Sequence, residues 1–492
     1  MKINLPKKVK QIIKNLEEKG VEIYIVGGAV RDILMAKLVY DWDFTTNATP
    51  DTIQKLFPDS FYDNKFGTVG IPSEVEGERS YEITTFRTEH GYSDARRPDK
   101  VEWGKTLEED LKRRDFTINA MALRLTSFAQ SKPAKHSSGD RLVRRSLGKG
   151  GVDSRGADAW NENEAEVELI DLYAGKKDLD NKLIRAVGDP NERFSEDALR
   201  MMRAVRIASE LNFKIQPATL TAIQKNVSLI AKIARERVRD ELLKILSSPH
   251  AYQGMTLFRE TGLMEKILPE MQQTFGVDQK SPGRHHIHDV GTHLMLSLKH
   301  VLQRNPDPIT RFATLIHDIG KPHTKKVLEN GVITFYNHEM VSAKIARRIA
   351  ARLKFSKKQS EKLYKLVRWH QFSVDETQTD SALRRFIRNV GVETVLDILD
   401  LRVGDRLGGG ARETSWRLEE FKKRLIEVQK QPFTVHDLKI SGFDVMEAFK
   451  IPPGPKVGEV LEKLYKEVVE KKIENEKDAL LKRLGVISKP HI

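Results

Sequence analysis

The chain has 492 residues, with 84 lysines and arginines against 70 aspartates and glutamates, which leaves a formal net charge of +14. This length exceeds what one hydrophobic core usually supports and predicts several domains, while the basic balance suits a polyanionic partner such as RNA. The absence of cysteine excludes disulfides, thiolate zinc sites and a cysteine nucleophile, so any metal must be bound by oxygen and imidazole ligands.

Charge also interrupts the N-terminal segment, MKINLPKKVKQIIKNLEEKG, too often for a secretory signal. No uncharged apolar run elsewhere is long enough to span a bilayer. We therefore expect a soluble, cytoplasmic protein with no membrane partner. The sequence does not define its oligomeric state.

The apolar patterning changes along the chain. Short β-branched and aromatic runs mixed with helical patterns extend to about Val187, and helical periodicity then continues almost to the end. This predicts an α+β fold in which a head with a mixed sheet precedes an all-α remainder. We expect a head over 1–188 that carries a flexible basic insertion at 127–166, a neck and body over 189–275, a metal-ligand-rich domain over 276–430 and a helical tail over 431–492. The insertion lacks the large aliphatic residues that would order it.

A predicted strand, a glycine turn and a helix form the first chemical pattern. Residues 24–26 read as a buried strand, Gly27 and Gly28 as the turn, and 29–32 as the start of a helix. Glycine has no Cβ, so such a turn lets backbone N–H groups approach a phosphate. A Gly-Gly pair alone is weak evidence.

Asp41 and Asp43 lie in the next predicted strand, where side-chain alternation places both carboxylates on one face. Two neighbouring carboxylates repel each other unless a cation lies between them, and oxygen ligands favour Mg²⁺. Glu82, in the strand-like run 81–87, is a candidate third carboxylate. An isolated pair of aspartates would instead indicate a surface turn, so the interpretation depends on the patterns that follow.

Two basic patterns follow along the chain. Adjacent Arg113 and Arg114 would supply countercharge for a triphosphate. A helix predicted over 196–206 carries acidic and basic residues at a spacing of three, so that they share roughly one face: Asp197, Arg200, Arg203 and Arg206. A carboxylate with a guanidinium matches the amino donor and ring-nitrogen acceptor of cytosine and adenine, and rejects uracil and guanine. The alternative is a salt-bridged surface helix.

The motifs GGAVRD, DWD, RRDFTINA and GDPNERFSEDALRMMRAVR occur in the order found in the class II tRNA nucleotidyltransferase and bacterial poly(A) polymerase family, which this chain resembles. The resemblance implies a polymerase-β-like head, helical neck, body and tail regions that select nucleotides and bind tRNA, ATP and CTP as partners, and two-metal catalysis with Mg²⁺. Family metal binding carries over to Asp41 and Asp43. Nucleotide contacts carry over to Gly28, Arg31, Arg114, Asp197, Arg200, Arg203 and Arg206, and Asp115 is left as an orienting group.

Local segments favour one branch of that family. TTNATPDTIQKLF and KFGTVGI resemble the CCA-adding branch, and we find no arginine-rich GRRF-type segment typical of poly(A) polymerases. The stretch 92–98 followed by 101–103 resembles the flexible loop that helps CCA enzymes change from C to A. A poly(A) polymerase, or an enzyme that adds only CC or only A, remains an alternative. The charged helix 235–244 resembles the supporting neck, and we assign it a structural role.

A second metal pattern lies between the neck and the tail. His293, His317, Asp318 and Asp405 match the ligand pattern of the HD phosphohydrolase superfamily, and His338 and His370 lie where two-metal members have extra ligands. Imidazole with carboxylate suits Mn, Fe, Ni, Co or Zn better than Mg. The resemblance implies a phosphohydrolase as a second activity. The alternatives are a structural metal site, or an HD-type nucleotide phosphohydrolase whose head only binds RNA.

Overall fold

The computed structural model describes residues 1–63, 67–74, 79–90, 100–128, 164–279, 288–372, 378–413, 415–429, 435–470 and 472–488. These residues form two compact units, Met1–Ile267 and Leu268–Ile492. The finer division into four domains stays a prediction. Most of the predicted insertion, and the loop 92–98, lie outside the described residues. Among those described, no helix has both the length and the apolar character needed to cross a membrane.

Strands and helices are mixed in the first unit. Its strands are β1 (Lys2–Asn4), β2 (Ile23–Val26), β3 (Asp43–Thr46), β4 (Phe61–Asp63), β5 (Thr68–Ile71), β6 (Tyr81–Thr85), β7 (Arg87–His90), β8 (Lys100–Trp103), β9 (Ala122–Phe128), β10 (Glu164–Ile170), β11 (Leu183–Ile184) and β12 (Lys214–Ile215). Its helices are α1 (Lys7–Glu17), α2 (Gly28–Leu34), α3 (Pro50–Leu56), α4 (Leu107–Lys112), α5 (Gly175–Asp180), α6 (Pro190–Glu196), α7 (Leu199–Leu211), α8 (Pro217–Asn226), α9 (Arg235–Ser247), α10 (Ala251–Glu260) and α11 (Leu263–Ile267).

An eight-stranded mixed sheet organises the described part of this unit, in the order β1-β10-β9-β2-β3-β6-β5-β4. β3 and β6 run parallel with Asp43 opposite Glu82, and β2 and β3 run antiparallel with Val26 opposite Asp43. The strand that enters the glycine turn therefore ends beside both carboxylates. The predicted mixed sheet and helical remainder are confirmed.

Helices dominate the second unit: α12 (Pro269–Gln272), α13 (Val290–Val301), α14 (Pro308–Ile316), α15 (Lys321–Thr324), α16 (His338–Arg352), α17 (Lys357–Trp369), α18 (Asp380–Val390), α19 (Val395–Gly408), α20 (Trp416–Gln429), α21 (Gly442–Phe449), α22 (Pro455–Val469) and α23 (Lys477–Ile487). A short antiparallel pair joins β13 (Lys326–Val327) to β14 (Ile333–Thr334). Towards the C-terminus, apolar residues of α21, α22 and α23 share one core that includes Val445, Leu464 and Leu480.

Two glycines let α13 and α19 approach closely. A Cβ added at Gly404 would lie 2.9 Å from the backbone oxygen of Ser297, and one at Gly408 would lie 2.7 Å from its backbone nitrogen. Because the obstructing atoms belong to the backbone, they cannot move aside as a flexible side chain would. This close packing brings Asp405 of α19 next to His293 of α13.

We therefore expect Gly408→Ala to destabilise the protein by roughly 1–3 kcal/mol, the usual cost of overpacking a tight contact. Gly458→Ala is the matched control, because no atom lies within 4 Å of the added Cβ. In a helix interior that substitution should stabilise by up to about 1 kcal/mol. Urea denaturation followed by circular dichroism measures both, and equal effects would contradict the packing argument.

Candidate functional site

A cavity of about 380 Å³ in the first unit collects groups that are distant in sequence. It is lined by residues of the glycine turn, β3, β6, the segment after α4, the residues around the start of α7 and the first turn of α9. Its lining includes Gly27, Gly28, Asp43, Glu82, Arg113, Arg114, Asp115, Asn119, Asp197, Arg200, Arg203 and Arg237. Acidic and basic groups thus face one space large enough for a nucleotide.

The carboxylates in this cavity lie close enough to affect each other. Burial raises the pKa of Asp43, Arg114 and Arg203 lower it, and Asp41 and Glu82 raise it, so that the pKa reaches about 6. Crowded, partly desolvated carboxylates favour a bound cation, and oxygen ligands of this kind suit Mg²⁺ when substrate phosphates and water complete its shell. The donor set therefore fits a divalent metal.

Asp41 differs from its prediction. The strand begins at Asp43, although the carbonyl of Trp42 still accepts a hydrogen bond from the backbone N–H of Glu82 at 3.1 Å. Asp41 precedes the strand, is half-exposed, and its Oδ2 accepts from Nη1 of Arg79 at 2.6 Å. Among the described residues, groups of three or more possible metal ligands whose atoms lie within 4.8 Å of one another occur in the second unit. Asp41, Asp43 and Glu82 do not form such a group. Asp41 therefore lies outside the strand in which we predicted it, and its metal role stays a prediction.

The glycine turn is shaped by Gly27 more than by Gly28. Gly27 has φ +72°, a conformation that favours glycine, and an added Cβ would lie 3.2 Å from both Oδ2 of Asp43 and Nη1 of Arg114. A Cβ on Gly28 would make only ordinary contact with Arg31. Sequence reasoning put the nucleotide contact on Gly28 and missed the tighter constraint at the preceding residue.

Arg31 takes a supporting position. Its guanidinium donates to both oxygens of Asp32, and its Nη1 donates to Oδ1 of Asn119 at 3.1 Å. It is not among the described residues that line the cavity, whereas Asn119 is. Direct nucleotide contact by Arg31 stays a prediction.

Asp110, which the sequence analysis did not select, orients the two adjacent arginines. Nη2 of Arg113 donates to its Oδ1 at 2.5 Å and Nη2 of Arg114 donates to its Oδ2 at 3.0 Å. Burial alone would raise the pKa of Asp110, but the two guanidiniums lower it. The spacing of three and four residues from Asp110 to the arginines on a helix was the available signal.

Asp115 fixes the start of α7 to this motif. Its Oδ2 accepts from Nε of Arg203 at 2.7 Å, and its Oδ1 accepts from the backbone N–H of Phe116 at 2.8 Å. Burial would raise the pKa of Asp115, but Arg203, Arg200 and Asn119 together lower it to about 2. This geometry is what an orienting group requires.

The predicted continuous helix over 196–206 is wrong. α6 ends at Glu196 and α7 begins at Leu199, with Asp197 in extended conformation between them. Oδ1 of Asp197 accepts from the backbone N–H of Leu199, the first residue of α7, at 3.0 Å. A local bond of this kind between an aspartate side chain and the backbone two residues ahead competes with helix propagation.

Asp197 and Arg200, which we predicted to share one helical face, are consequently held by several elements. Oδ2 of Asp197 accepts from Nη2 of Arg237 at 3.0 Å. Nη1 of Arg200 donates to Oε2 of Glu196 at 2.7 Å, and its Nη2 donates to the carbonyl of Arg113 at 3.1 Å. Arg237 lies in the neck helix to which we had given only a structural role. Nothing local in the sequence linked it to Asp197.

Arg206 departs further from its prediction. Its Nη1 donates to Oε1 of Glu241 at 3.2 Å, within reach of α9, and the residue is not among the described residues that line the cavity. Its nucleotide role is therefore not supported by the geometry. Arg206 lies three residues after Arg203, about one helical turn farther along α7 than the last residue of this helix that lines the cavity.

The second unit brings all six predicted HD ligands together. Oδ1 of Asp405 lies 3.2 Å from Nε2 of His293 and 3.4 Å from Nε2 of His317, and Oδ2 of Asp318 lies 3.5 and 3.4 Å from the same two nitrogens. These four residues form one candidate metal group, and Asp318, His338 and His370 form another.

Asp318 belongs to both groups. Its Oδ2 faces His293 and His317, and its Oδ1 lies 3.0 Å from Nε2 of His338 and 3.4 Å from Nε2 of His370. Lys321 also reaches Oδ2 of Asp318 at 2.6 Å. One carboxylate therefore stands between two imidazole pairs, as a bridging ligand would.

Backbone carbonyls orient three of the imidazoles. The Nδ1 atoms of His317, His338 and His370 lie 2.7–2.8 Å from the carbonyl oxygens of the residues three positions earlier. Such a bond places the proton on Nδ1 and leaves Nε2 as the ligand atom. Burial would lower the pKa of His317, but Asp318 and Asp405 raise it to about 10, so the site attracts positive charge. The donor set fits divalent transition metals.

Of the histidines just before α13, His288 is described and belongs to neither metal group. Its carbonyl accepts from Nε2 of Gln279 at 3.2 Å. His285 and His286 lie outside the described residues.

Comparison with known proteins defines the class. A family model described as "Poly A polymerase head domain" matches residues 23–134, one described as "Probable RNA and SrmB- binding site of polymerase A" matches 212–274, and a model of tRNA nucleotidyltransferase domain 2 matches 332–484. The fold is thus that of a nucleotidyltransferase.

Individual relatives identify the branch. A CCA-adding enzyme of Levilactobacillus brevis is 32% identical over 476 residues, which cover 96% of each chain. One of Lactobacillus helveticus is 41% identical over 261 residues, 53% of this chain and about half (55%) of the relative. The crystal structure of the Bacillus stearothermophilus CCA-adding enzyme in complex with CTP has a TM-score of 0.64 at 28% identity, covering 97% of this chain and 96% of that one. The chain belongs to the CCA-adding enzyme family, whose nucleotidyltransferases use a divalent metal ion.

The depressed pKa of Asp115 predicts an acid dependence of stability. A carboxylate with a pKa of about 2 in the folded state and about 3.9 when unfolded contributes its full stability above pH 4 and loses it as the pH falls through 2. The stability difference between the wild type and Asp115→Asn should therefore narrow by roughly 2 kcal/mol between pH 4 and pH 2.

Urea denaturation at several pH values measures this difference. Asp180→Asn is the control, since the exposed ion pair of Asp180 with Lys176 should contribute at most about 1 kcal/mol. If the difference in free energy of unfolding between the wild type and Asp115→Asn stayed constant over this pH range, the lowered pKa of Asp115 would be contradicted.

Proposed function

We propose that the chain is a template-independent tRNA nucleotidyltransferase that adds C and A to the 3′ end of tRNA, using CTP and ATP. The observation that carries the proposal is the meeting of Asp43, Glu82, Arg114, Asp197 and Arg200 around one cavity. Family membership supports it, as does the CTP complex of the Bacillus stearothermophilus relative. Divalent ions bound at the carboxylates, Mg²⁺ in our proposal, would supply Lewis acidity to the transferred phosphoryl group and countercharge to the departing pyrophosphate.

The cationic side chains of the cavity suit the triphosphate. Arg114 is held by buried Asp110, and Arg203 by buried Asp115, so both guanidiniums are fixed before a ligand arrives. Fixed donors cost less conformational entropy on binding than mobile ones. We assign these arginines to the phosphates and leave Asp41, Asp43 and Glu82 to the metal ions.

Asp197 and Arg200 suit the base. Each oxygen of Asp197 already accepts one hydrogen bond, from Leu199 and from Arg237, and a carboxylate has further acceptor capacity for the exocyclic amino group of C or A. Arg200 lines the same cavity and can donate to the adjacent ring nitrogen. The reversed edges of U and G would place donor against donor, and such mismatches cost about 1–3 kcal/mol in comparable base readout.

The alternatives differ in product. The family model that matches residues 23–134 is described as a poly A polymerase head domain. The match of residues 332–484 to a tRNA nucleotidyltransferase domain nevertheless favours tRNA as the acceptor. An HD hydrolase with a head that only binds RNA would not need this combination of carboxylates, arginines and a fixed Asp197 around one cavity.

Incubation of the purified chain with Mg²⁺, CTP, ATP and tRNA that lacks its 3′ CCA tests the proposal. We expect extension by CCA and then arrest, and extension at least about 10³-fold slower for Asp43→Asn because metal-assisted charge stabilisation provides several kcal/mol. Asp51→Asn, an exposed residue of α3 outside the described cavity lining, should match the wild type.

Other products would each point to a different enzyme. Long A tails on a generic oligonucleotide would identify a poly(A) polymerase, and arrest after CC, or addition of A only to tRNA ending in CC, would identify a partial enzyme. No extension of any acceptor would refute the transferase proposal.

As a second function we propose a metal-dependent phosphohydrolase in the second unit. The observation that favours it is the double ligand group around Asp318. Metal ions held there, of the Mn, Fe, Ni, Co or Zn type, would polarise a phosphoryl group for attack by water. The protein's own residues hold the ligands in register: backbone carbonyls orient the imidazoles, and Lys321 fixes Asp318.

Metal analysis by mass spectrometry tests this second function. We expect two transition-metal ions per chain in protein loaded with Mn²⁺, about one in His338→Ala, and neither in Asp318→Asn, because Asp318 belongs to both groups. His323→Ala, an exposed histidine of α15 outside the described ligand groups, should keep both.

Activity assays complete the test. Phosphate release from p-nitrophenyl phosphate, or cleavage of its diester, should disappear in Asp318→Asn while CCA addition persists. Metal binding without release of phosphate or cleavage of the diester would indicate a structural site.

A further inference from the structure

An exposed ion pair involves one of the carboxylates that we assign to the metal ions of the head. Nη1 of Arg79 donates to Oδ2 of Asp41 at 2.6 Å, and the two side chains are 72% and 48% exposed. We infer that Arg79 is a positioning residue that competes with the divalent ion for the charge of Asp41. It thereby sets the ion concentration at which the head binds metal. The inference rests on the proposed transferase function and adds a residue to its metal site.

The parallel pairing of β3 and β6 explains why this arginine reaches Asp41. Asp43 lies opposite Glu82, and the carbonyl of Trp42 accepts from the backbone N–H of Glu82 at 3.1 Å. Asp41 is two residues before Asp43, and Arg79 is three residues before Glu82. Because paired parallel strands begin at the same end of a sheet, these two segments enter it side by side.

The partner of Arg79 distinguishes it from arginines inside the cavity. Arg114 and Arg203 are held by Asp110 and Asp115, two buried aspartates to which we give no metal role. Those pairs keep their geometry when a metal ion binds, because no metal ligand has to be shared. Arg79 instead bonds an assigned ligand, so the guanidinium and the metal ion draw on the charge of one carboxylate.

The pair is weak enough for a metal ion to overcome. Exposed ion pairs contribute little, because water and salt screen them and both side chains lose rotational freedom. Their usual strength of about 0.4–1 kcal/mol corresponds to a change of about 2- to 5-fold in a binding constant. A guanidinium as exposed as that of Arg79 also moves away without opening the core. Arg79 therefore weakens metal binding by a small factor and does not prevent it.

Titration of the full chain with Mn²⁺ tests the inference, with free Mn²⁺ measured by electron paramagnetic resonance and neither nucleotide nor tRNA present. The reference protein carries Asp318→Asn, which disrupts both ligand groups of the second unit. Mn²⁺ binding that is lost on adding Asp43→Asn then belongs to the head. We expect Arg79→Gln to tighten this binding about 2- to 5-fold, and Arg79→Lys, which keeps the charge, to stay closer to the reference.

A double-mutant cycle with Asp41→Asn separates competition for Asp41 from general repulsion by a positive charge. Asp43 and Glu82 remain in this background, and Arg79→Gln should then have no effect on Mn²⁺ binding. Lys8→Gln is the matched control, because Lys8 pairs with Glu74 at the same distance, 2.6 Å, in the same unit. This variant loses the same charge and should bind Mn²⁺ as the reference does.

Activity and salt give two further measurements. In CCA addition with limiting Mg²⁺, Arg79→Gln should reach its half-maximal rate at about 2- to 5-fold lower Mg²⁺ than the wild type, with the same maximal rate. In about 1 M KCl this difference should shrink, because salt screens exposed charges.

Unchanged Mn²⁺ affinity in Arg79→Gln, with binding still dependent on Asp43, would overturn the inference and leave the metal site of the proposed transferase intact. Tighter binding that persists when Asp41→Asn is added would also overturn it, because the charge of Arg79 would then act on the ion directly. Equal binding by the reference protein and Asp43→Asn would refute the metal site itself, and the inference with it.

Discussion

The head depends on the balance of charge among carboxylates that its sheet and helices bury. Asp110 is paired with Arg113 and Arg114, and Asp115 is paired with Arg203. Asp43 has neighbouring carboxylates instead, and its pKa rises to about 6 even with Arg114 nearby. Burying charge without compensation is costly, so two of these three sites are satisfied by the protein and the third favours an external cation. The same network thereby fixes the arginines beside the place where that cation would bind.

The helical unit solves a similar problem with imidazoles. Asp318 is buried and Asp405 is partly buried among four histidines, and Lys321 contacts Asp318. Carbonyls at the ends of α14 and α17, and of the turn before α16, receive the Nδ1 protons and so direct Nε2 towards the carboxylates. Close approach of α13 and α19, permitted by Gly404 and Gly408 of α19, brings ligands over a hundred residues apart into one group.

Sequence patterns predicted those parts of the site that local periodicity controls. Glu82, the candidate third carboxylate, lies opposite Asp43 across β3 and β6, and the HD ligands lie together as the resemblance implied. Prediction failed where one side chain competes with a helix or where a partner is distant. Asp197 interrupts the helix by bonding the backbone N–H of Leu199, Arg206 bonds Glu241, and Arg237 reaches Asp197 from a helix forty residues away. Periodicity carries no information about such long-range pairs.

The break at Asp197 also bears on how the proposed enzyme would select bases without a nucleic-acid template. On a continuous helix, an aspartate side chain would keep rotational freedom, and the difference between a matched and a mismatched base edge would be averaged over several geometries. Here Leu199 and Arg237 each hold one oxygen of Asp197, and Arg200 is fixed by Glu196 and by the carbonyl of Arg113. Discrimination of about 1–3 kcal/mol requires donors and acceptors in fixed register. With the base-reading role that we propose for Asp197 and Arg200, the break in the helix would provide a rigid edge for the base, and the neck helix that carries Arg237 would take part in selection.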